Sequence, residues 1–164
     1  MSTMDSKSPS STHIPLIYTT FLLWLEPIAA FSGTIQALFT PQPFLAIITP
    51  AVTDISASPT AVESLLLAQL GSMYLYFAFI SAVLLRYVGS QRPDVWRLVI
   101  CGQMLSDIGH LYGLWLVARL VGAEGVFWNP IEWRSEDLMN IGLTWFGFLL
   151  RIAFLIGVGV RSGR

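Results

Sequence analysis

The sequence predicts an all-α polytopic membrane protein built as one four-helix transmembrane bundle. Three observations carry that prediction. Hydrophobic residues fill 54% of the 164 positions and charged residues only 12%, with a mean hydropathy of +0.66; soluble domains carry roughly 25% charge. Four apolar runs, at about residues 14–39, 61–88, 95–121 and 138–160, each reach the ~20 residues that cross a ~30 Å hydrocarbon core. The stretches between them hold proline, glycine and aromatic residues in turn-like order.

Residues 1–13 are polar and rich in Ser and Thr, so a disordered head is expected there, with 14–164 forming the single transmembrane domain. No cleavable leader is expected, because the first apolar run is long, contains Glu26 and lacks an A-x-A site. Glu26 is followed by Pro27, which removes a helical donor and predicts a kink whose freed carbonyls face a polar cavity. Pro41, Pro43, Pro50 and Pro59 break up the first connection, whose apolar run at 44–48 suits a dip into the interface. Gln91-Arg92-Pro93-Asp94 reads as a tight turn with Asp94 capping the third helix. In that helix Cys101 reads as a small buried hydrophobe, and as a lone cysteine it supports neither a disulfide nor a paired thiol ligand set. Phe127-Trp128-Asn129-Pro130-Ile131-Glu132-Trp133 has the aromatic content of a segment at headgroup level, and it also suits a lid over a cavity mouth.

Orientation follows from the basic residues. Lys7, Arg86, Arg92, Arg97, Arg161 and Arg164 fall in the head, second connection and tail, against Arg134 and at most Arg119 on the other side. The positive-inside rule then puts both termini in the cytosol, the topology of an endoplasmic reticulum protein in a eukaryotic cell.

Polar side chains inside the apolar runs are the candidate functional residues. A charge at mid-bilayer costs at least ~2.5–3.5 kcal/mol, and such residues usually face the bundle interior. At 100° per residue Gln103, Asp107 and His110 form one stripe on the third helix. Gly102, Ser106, Gly109 and Gly113 form a second stripe, expected to pack tightly on another helix or a second subunit, so a homo-oligomer is compatible. Asn140, Thr144, Gly147 and Arg151 align on the fourth helix, Thr19, Glu26 and Gly33 on the first, and Gln69, Met73 and Tyr76 on the second. Glu26 and Asp107 each lie ~18 Å deep from the cytosolic side, and Arg151 lies at a similar level counted from the other. One guanidinium neutralises one carboxylate, which leaves the second acid free to carry a proton. His110 beside Asp107 suits an oriented base as well as a hydrogen-bonded core residue.

Other classes find little support. The net charge of −1 argues for no nucleic acid, and one usable histidine with scattered carboxylates argues for no metal. No Ser nucleophile elbow, P-loop or dinucleotide fingerprint is present, so no cofactor is expected. Trp24, Trp96, Trp115, Trp128 and Trp133 read as interfacial belt residues, Trp145 as a cavity wall, and Glu63, Glu132, Glu136 and Asp137 as solvated loop-end acids.

Trp24-Leu25-Glu26-Pro27, Ser106-Asp107-Ile108-Gly109-His110-Leu111-Tyr112 and Phe127-Trp128-Asn129-Pro130 together resemble small four-span membrane proteins of filamentous fungi. Some of these belong to polyketide and meroterpenoid pathways, and those of the aurovertin and citreoviridin type are regarded as epoxide hydrolases or epoxide-opening cyclases. More distantly, the chain is similar to the four-span architecture of sterol isomerases and their sterol-binding relatives. The resemblance implies an epoxide-opening enzyme acting on an apolar small molecule drawn from the lipid bilayer. Glu26 and Asp107 would be the acid–base pair, His110 would orient or relay a proton, and Arg151 would keep one acid ionised. Gln69, Tyr76, Gln103 and Asn140 would position substrate oxygens or water, with Trp145 beside them. The same cavity suits a sterol or lipid ligand, and buried charges alone suit a scaffold.

Overall fold

The computed structural model describes residues 12–49 and 58–162, so Lys7, Pro50 and Arg164 lie outside the described residues, as does most of the expected head. The last two residues of that head are ordered: β1 (Thr12–His13) pairs antiparallel with β2 (Arg161–Ser162). Between the two strands run α1 (Leu16–Phe39), α2 (Pro41–Ile48), α3 (Ala61–Val88), α4 (Pro93–Leu120), α5 (Glu124–Trp128) and α6 (Ser135–Leu155). Among the described residues, α1, α3 and α6 are long and apolar enough to cross a membrane. α4 has 28 residues but carries Asp94, Arg97, Asp107 and Arg119.

The helix ends follow local chemistry. A capping box opens α3: the Glu63 N–H donates to Thr60 Oγ1 at 3.2 Å, and the Thr60 N–H donates to the Glu63 carboxylate at 2.7 Å. α4 starts on Pro93, whose missing N–H costs nothing in a first turn. Asp94 is not its cap, because it is already inside the helix and pairs with Arg92 at 2.9 Å. Gly122, at φ 73°, turns the chain out of α4. Ahead of α6, Arg134 donates to both oxygens of Asp137 at 2.9 Å and to the Thr49 carbonyl at 3.1 Å. Asp137 is thereby 1% exposed rather than solvated as its loop-end position suggested.

Pro27 shows how the fold handles a missing donor. Leu23, four residues earlier, gets no hydrogen bond from Pro27, and α1 takes a π-helical turn over Phe21–Leu25. The freed Leu23 carbonyl does not face a polar cavity. It accepts from the Arg86 guanidinium at the far end of α3, which also stacks 4.1 Å over the Trp24 ring.

Packing divides the long helices into two pairs. α1 lies along α3, with Thr34 Oγ1 donating to the Gly71 carbonyl at 3.0 Å, and α4 lies along α6. A Cβ on Gly33 would sit 3.0 Å from the Tyr74 ring, and one on Gly71 would sit 3.2 Å from Leu38. This is where small residues admit close approach. The third-helix stripe is not: a Cβ at Gly102, Gly109 or Gly113 meets nothing within 4 Å. The two pairs converge at the end bearing the β pairing, through Tyr18, Phe21, Leu22, Leu85, Trp96, Ile100, Leu150 and Phe154. At the other end each pair has its own cluster, Ala37, Phe44 and Leu67 for one and Leu111, Leu114, Ala118, Phe127 and Ile141 for the other. The space between them is the wedge that holds the candidate site.

Two further expectations are corrected by packing. Trp96 is 2% exposed and donates to the Gly89 carbonyl at 3.0 Å, so it is a core residue and not a belt residue. Cys101 is exposed and not a buried core residue. Large apolar side chains also cover the outside of the bundle, among them Ile28, Phe31, Leu65, Phe79, Leu98, Leu105 and Leu149. Water does not favour apolar exposure on this scale, whereas lipid does.

Candidate functional site

A cavity of about 950 Å³ fills the wedge and is lined from α1, α2, α3, α4 and α6. Most of its wall is apolar, including Phe21, Phe44, Phe77, Ile80 and Leu143; Gln103, Asp107 and His110 of α4 with Glu26, Arg151 and Asn140 form a polar arc along it, and Ser32 and Gln36 of α1 lie elsewhere on the wall. At its rim Met73 and Tyr76 of α3 are both 61% exposed while lining the cavity, opposite exposed Gly102 and Ser106 of α4. The cavity therefore opens sideways between α3 and α4. Gly102 and Ser106 form the α4 jamb of that opening, and a Cβ on Gly102 would meet nothing within 4 Å.

Three charges from three helices meet on the cavity wall. Arg151 of α6 is 1% exposed and donates through Nη1 to Asp107 Oδ2 of α4 at 2.6 Å. Through Nη2 it donates to Glu26 Oε1 of α1. The Phe77 ring lies 5.6 Å from the centre of the guanidinium, within reach of a cation–ring attraction. Gly147, one turn before Arg151, makes room for this arrangement: a Cβ there would lie 2.9 Å from Nη1 and 3.2 Å from the Phe21 ring. Helical phase and depth place these three groups together in the sequence, and the fold brings them into direct contact.

The cluster is chemically unfinished. Glu26 Oε2 and Arg151 Nε are buried and have no hydrogen-bond partner, so a free acceptor and a free donor remain beside the paired oxygens. If both acids are ionised, one negative charge is uncompensated in an apolar wall. The arrangement can therefore hold a proton and hand it to a bound oxygen.

The rest of the arc lies one helical turn to either side. Gln103, 5% exposed, donates through Nε2 to Ser81 Oγ at 2.7 Å. His110 Nε2 lies 3.0 Å from Asn140 Oδ1; the tautomer protonated at Nε2 satisfies this pair and leaves the Nδ1 lone pair available as a base. The partner that orients His110 is thus Asn140 and not Asp107, its sequence neighbour. Gln103, His110 and Asn140 all line the cavity, as does Tyr76.

Two expected site residues stand elsewhere. Gln69 is exposed on α3 and does not line the cavity, because its helix turns that face outward. Trp145 packs against the Leu111–Ile141 cluster and lies 6.4 Å from the Trp128 ring, on the side of α6 away from the cavity. The aromatic segment at 127–133 forms no lid. Phe44, Ile47 and Ile48 of α2 contribute to the cavity instead.

Sequence reasoning did not single out Ser81, Ser32, Gln36 and Tyr74. Ser81 is fully buried on Gln103, and the other three line the cavity. Only Ser81 lies in a helical irregularity that could have marked it. α1, α3 and α6 each contain a π-helical turn, at Phe21–Leu25, Ile80–Leu84 and Leu138–Gly142, and each turn places at least one side chain on the cavity. Such turns widen the helix locally and recur at functional sites. Among the described residues no group of three or more His, Cys, Asp or Glu is placed to hold a metal ion.

A family model described as "Domain of unknown function (DUF7704)" matches residues 11–161. No curated protein and no solved structure matches the chain.

Proposed function

The chain belongs to the DUF7704 family, matched over nearly its whole length, and from that premise we propose that it is an integral membrane enzyme that opens an epoxide. The observation that carries this reading is the Glu26–Arg151–Asp107 cluster, two acids on one guanidinium in the wall of an apolar cavity open towards lipid. Its substrate is an apolar polyketide or terpenoid epoxide of the kind implied by the resemblance to fungal pathway proteins. Such a molecule partitions into the bilayer and reaches the cavity between α3 and α4.

The chemistry balances within the site. The acid that carries the proton donates it to the epoxide oxygen as one carbon–oxygen bond breaks. Water, or a hydroxyl of the substrate, attacks the carbon and forms the new carbon–oxygen bond. The proton it loses passes to the ionised acid, directly or through His110 Nδ1, so the site ends with the protons it began with. Arg151 holds the ionised acid in place and stabilises its charge.

Four spans support this access route. α4 is about 42 Å long at 1.5 Å per residue, and it carries exposed Leu98, Leu105, Ile108, Leu116 and Leu120 on its outer side. The pairing of Thr12–His13 with Arg161–Ser162 puts both ends of the described chain side by side, which supports an even number of crossings. With the basic residues gathered at that side, both termini face the cytosol and the membrane is that of the endoplasmic reticulum.

The test is turnover of an epoxy-polyene by the enzyme in microsomes. Asp107→Asn and Glu26→Gln should each lower it by at least ~100-fold, the usual scale of general acid–base catalysis. Near-wild-type rates in both variants would falsify the reading. The size and apolar wall of the cavity also favour a second reading, a sterol- or lipid-binding protein or sterol isomerase. Sterols consumed or co-purified in place of epoxides would select it. If no ligand raises thermal stability, the cluster is a structural fastening only.

A further inference from the structure

The arc beyond the charge cluster holds a second unfilled position. Gln103 Nε2 is committed to Ser81 Oγ at 2.7 Å, yet Gln103 Oε1 is buried and has no partner, on a residue that is 5% exposed and lines the cavity. A buried amide oxygen without a partner carries a desolvation cost. In an apolar pocket that cost is relieved by a ligand that brings a donor. The helix sets the spacing: Gln103 is four residues before Asp107 on the same stripe, about 6 Å along the axis. It also sits where the helix pairs converge, one turn beyond the Leu85–Trp96–Ile100 cluster, so it marks the closed end of the wedge.

We propose that Gln103 Oε1 and its Ser81 support form a hydroxyl-recognition subsite, so that the preferred ligand is an apolar molecule with an alcohol about 6 Å from the oxygen held at the Glu26–Arg151–Asp107 cluster. This rests on the epoxide-opening reading for the identity of the second oxygen, but not for the alcohol itself. A ketone or ether cannot satisfy the subsite, because each offers only acceptors to an oxygen that is itself an acceptor. Asn140 Nδ2, buried and unpartnered at the other end of the arc, offers the complementary group. The ligand is thus read by a donor requirement at one end and an acceptor requirement at the other.

The experiment compares two probes, 5,6-epoxydodecan-1-ol and its 1-methyl ether, which share chain length and epoxide but differ in the hydroxyl proton. Dissociation constants are measured by calorimetry with the full chain in detergent micelles, and turnover is followed in parallel. The alcohol should bind about tenfold tighter, the worth of one hydrogen bond of ~1.4 kcal/mol. In Gln103→Leu the ratio of the two affinities should fall to about one. Gln103→Met also removes Oε1 while nearly keeping the side-chain shape, and the ratio should fall to about one there too, which covers the case in which the leucine variant does not fold. Equal affinities in the wild type, or a preference that survives in Gln103→Leu, overturn the subsite. If both epoxides turn over with no preference, the subsite fails and the enzyme reading stands. If the alcohol is preferred through Gln103 with no turnover, the subsite stands and the enzyme reading fails. Failure of both probes to bind overturns both.

Discussion

Removing both acids from the cluster should cost far more than the sum of removing each. Arg151 is 1% exposed, and the side chains of Glu26 and Asp107 are 12% and 11% exposed, so all three charges are largely cut off from water. In Asp107→Asn the guanidinium still pairs with Glu26, and in Glu26→Gln it still pairs with Asp107. Each single change keeps one ion pair on the guanidinium and replaces the second acid by its amide, weakening one hydrogen bond by about 0.5–1.5 kcal/mol. The net cost of each is expected near 1 kcal/mol. The double variant leaves an unpaired guanidinium in an apolar wall, for which about 3–5 kcal/mol is the usual penalty. The coupling is therefore about 1–3 kcal/mol, well above the ~0.5 kcal/mol within which independent sites add. Unfolding of the four proteins in mixed micelles, followed by tryptophan fluorescence, measures it. Additive costs, or a single variant as damaging as Arg151→Met, would refute the three-charge arrangement.

Gly147→Ala tests how that arrangement is seated, since its Cβ would lie 2.9 Å from Arg151 Nη1 and 3.2 Å from the Phe21 ring. We expect a loss of about 1–3 kcal/mol in unfolding stability, as for other overpacked sites, with epoxide turnover falling alongside; unchanged values for both would contradict it. Arg86→Met removes the donor that serves the Leu23 carbonyl and the cation over Trp24, and should cost about 1–3 kcal/mol. Hydrogen exchange should rise around Phe21–Leu25 in that variant, and unaltered protection there would show that the carbonyl finds another donor.

Much of the architecture was legible in the sequence because the membrane leaves so little freedom. Long apolar runs become helices, since a backbone in lipid must bond to itself. The structure accordingly places helices at Ala61–Val88 and close to the other three expected positions. Polar residues in those runs turn inward for the same energetic reason, and simple helical phase aligned Gln103, Asp107 and His110. Legibility stopped where a feature depended on which helix lies beside which. The glycine stripe of α4 looked like a packing face, yet a Cβ on Gly102, Gly109 or Gly113 meets no neighbour, because α4 turns other faces to α6 and to Ser81 of α3. Trp145 shares its helix with Asn140 and Thr144 but points to the opposite cluster. Asp137 seemed a solvated loop-end acid, and the nearby Arg134 buries it.

The sequence by itself determined the helical class, the apolar exterior and the charged side chains that must find one another inside. Composition and period suffice for these, because burial of charge in lipid is penalised whatever the neighbours are. Only the tertiary structure decided that one guanidinium bridges two acids, that Asn140 orients His110, and that Arg86 serves the carbonyl freed by Pro27. Those pairings depend on distances of a few ångströms between segments as many as 125 positions apart. No periodicity along a single helix encodes such distances: the pairing of α4 with α6 and of α1 with α3 fixes the last two, and the convergence of the two pairs adds Glu26 to the first.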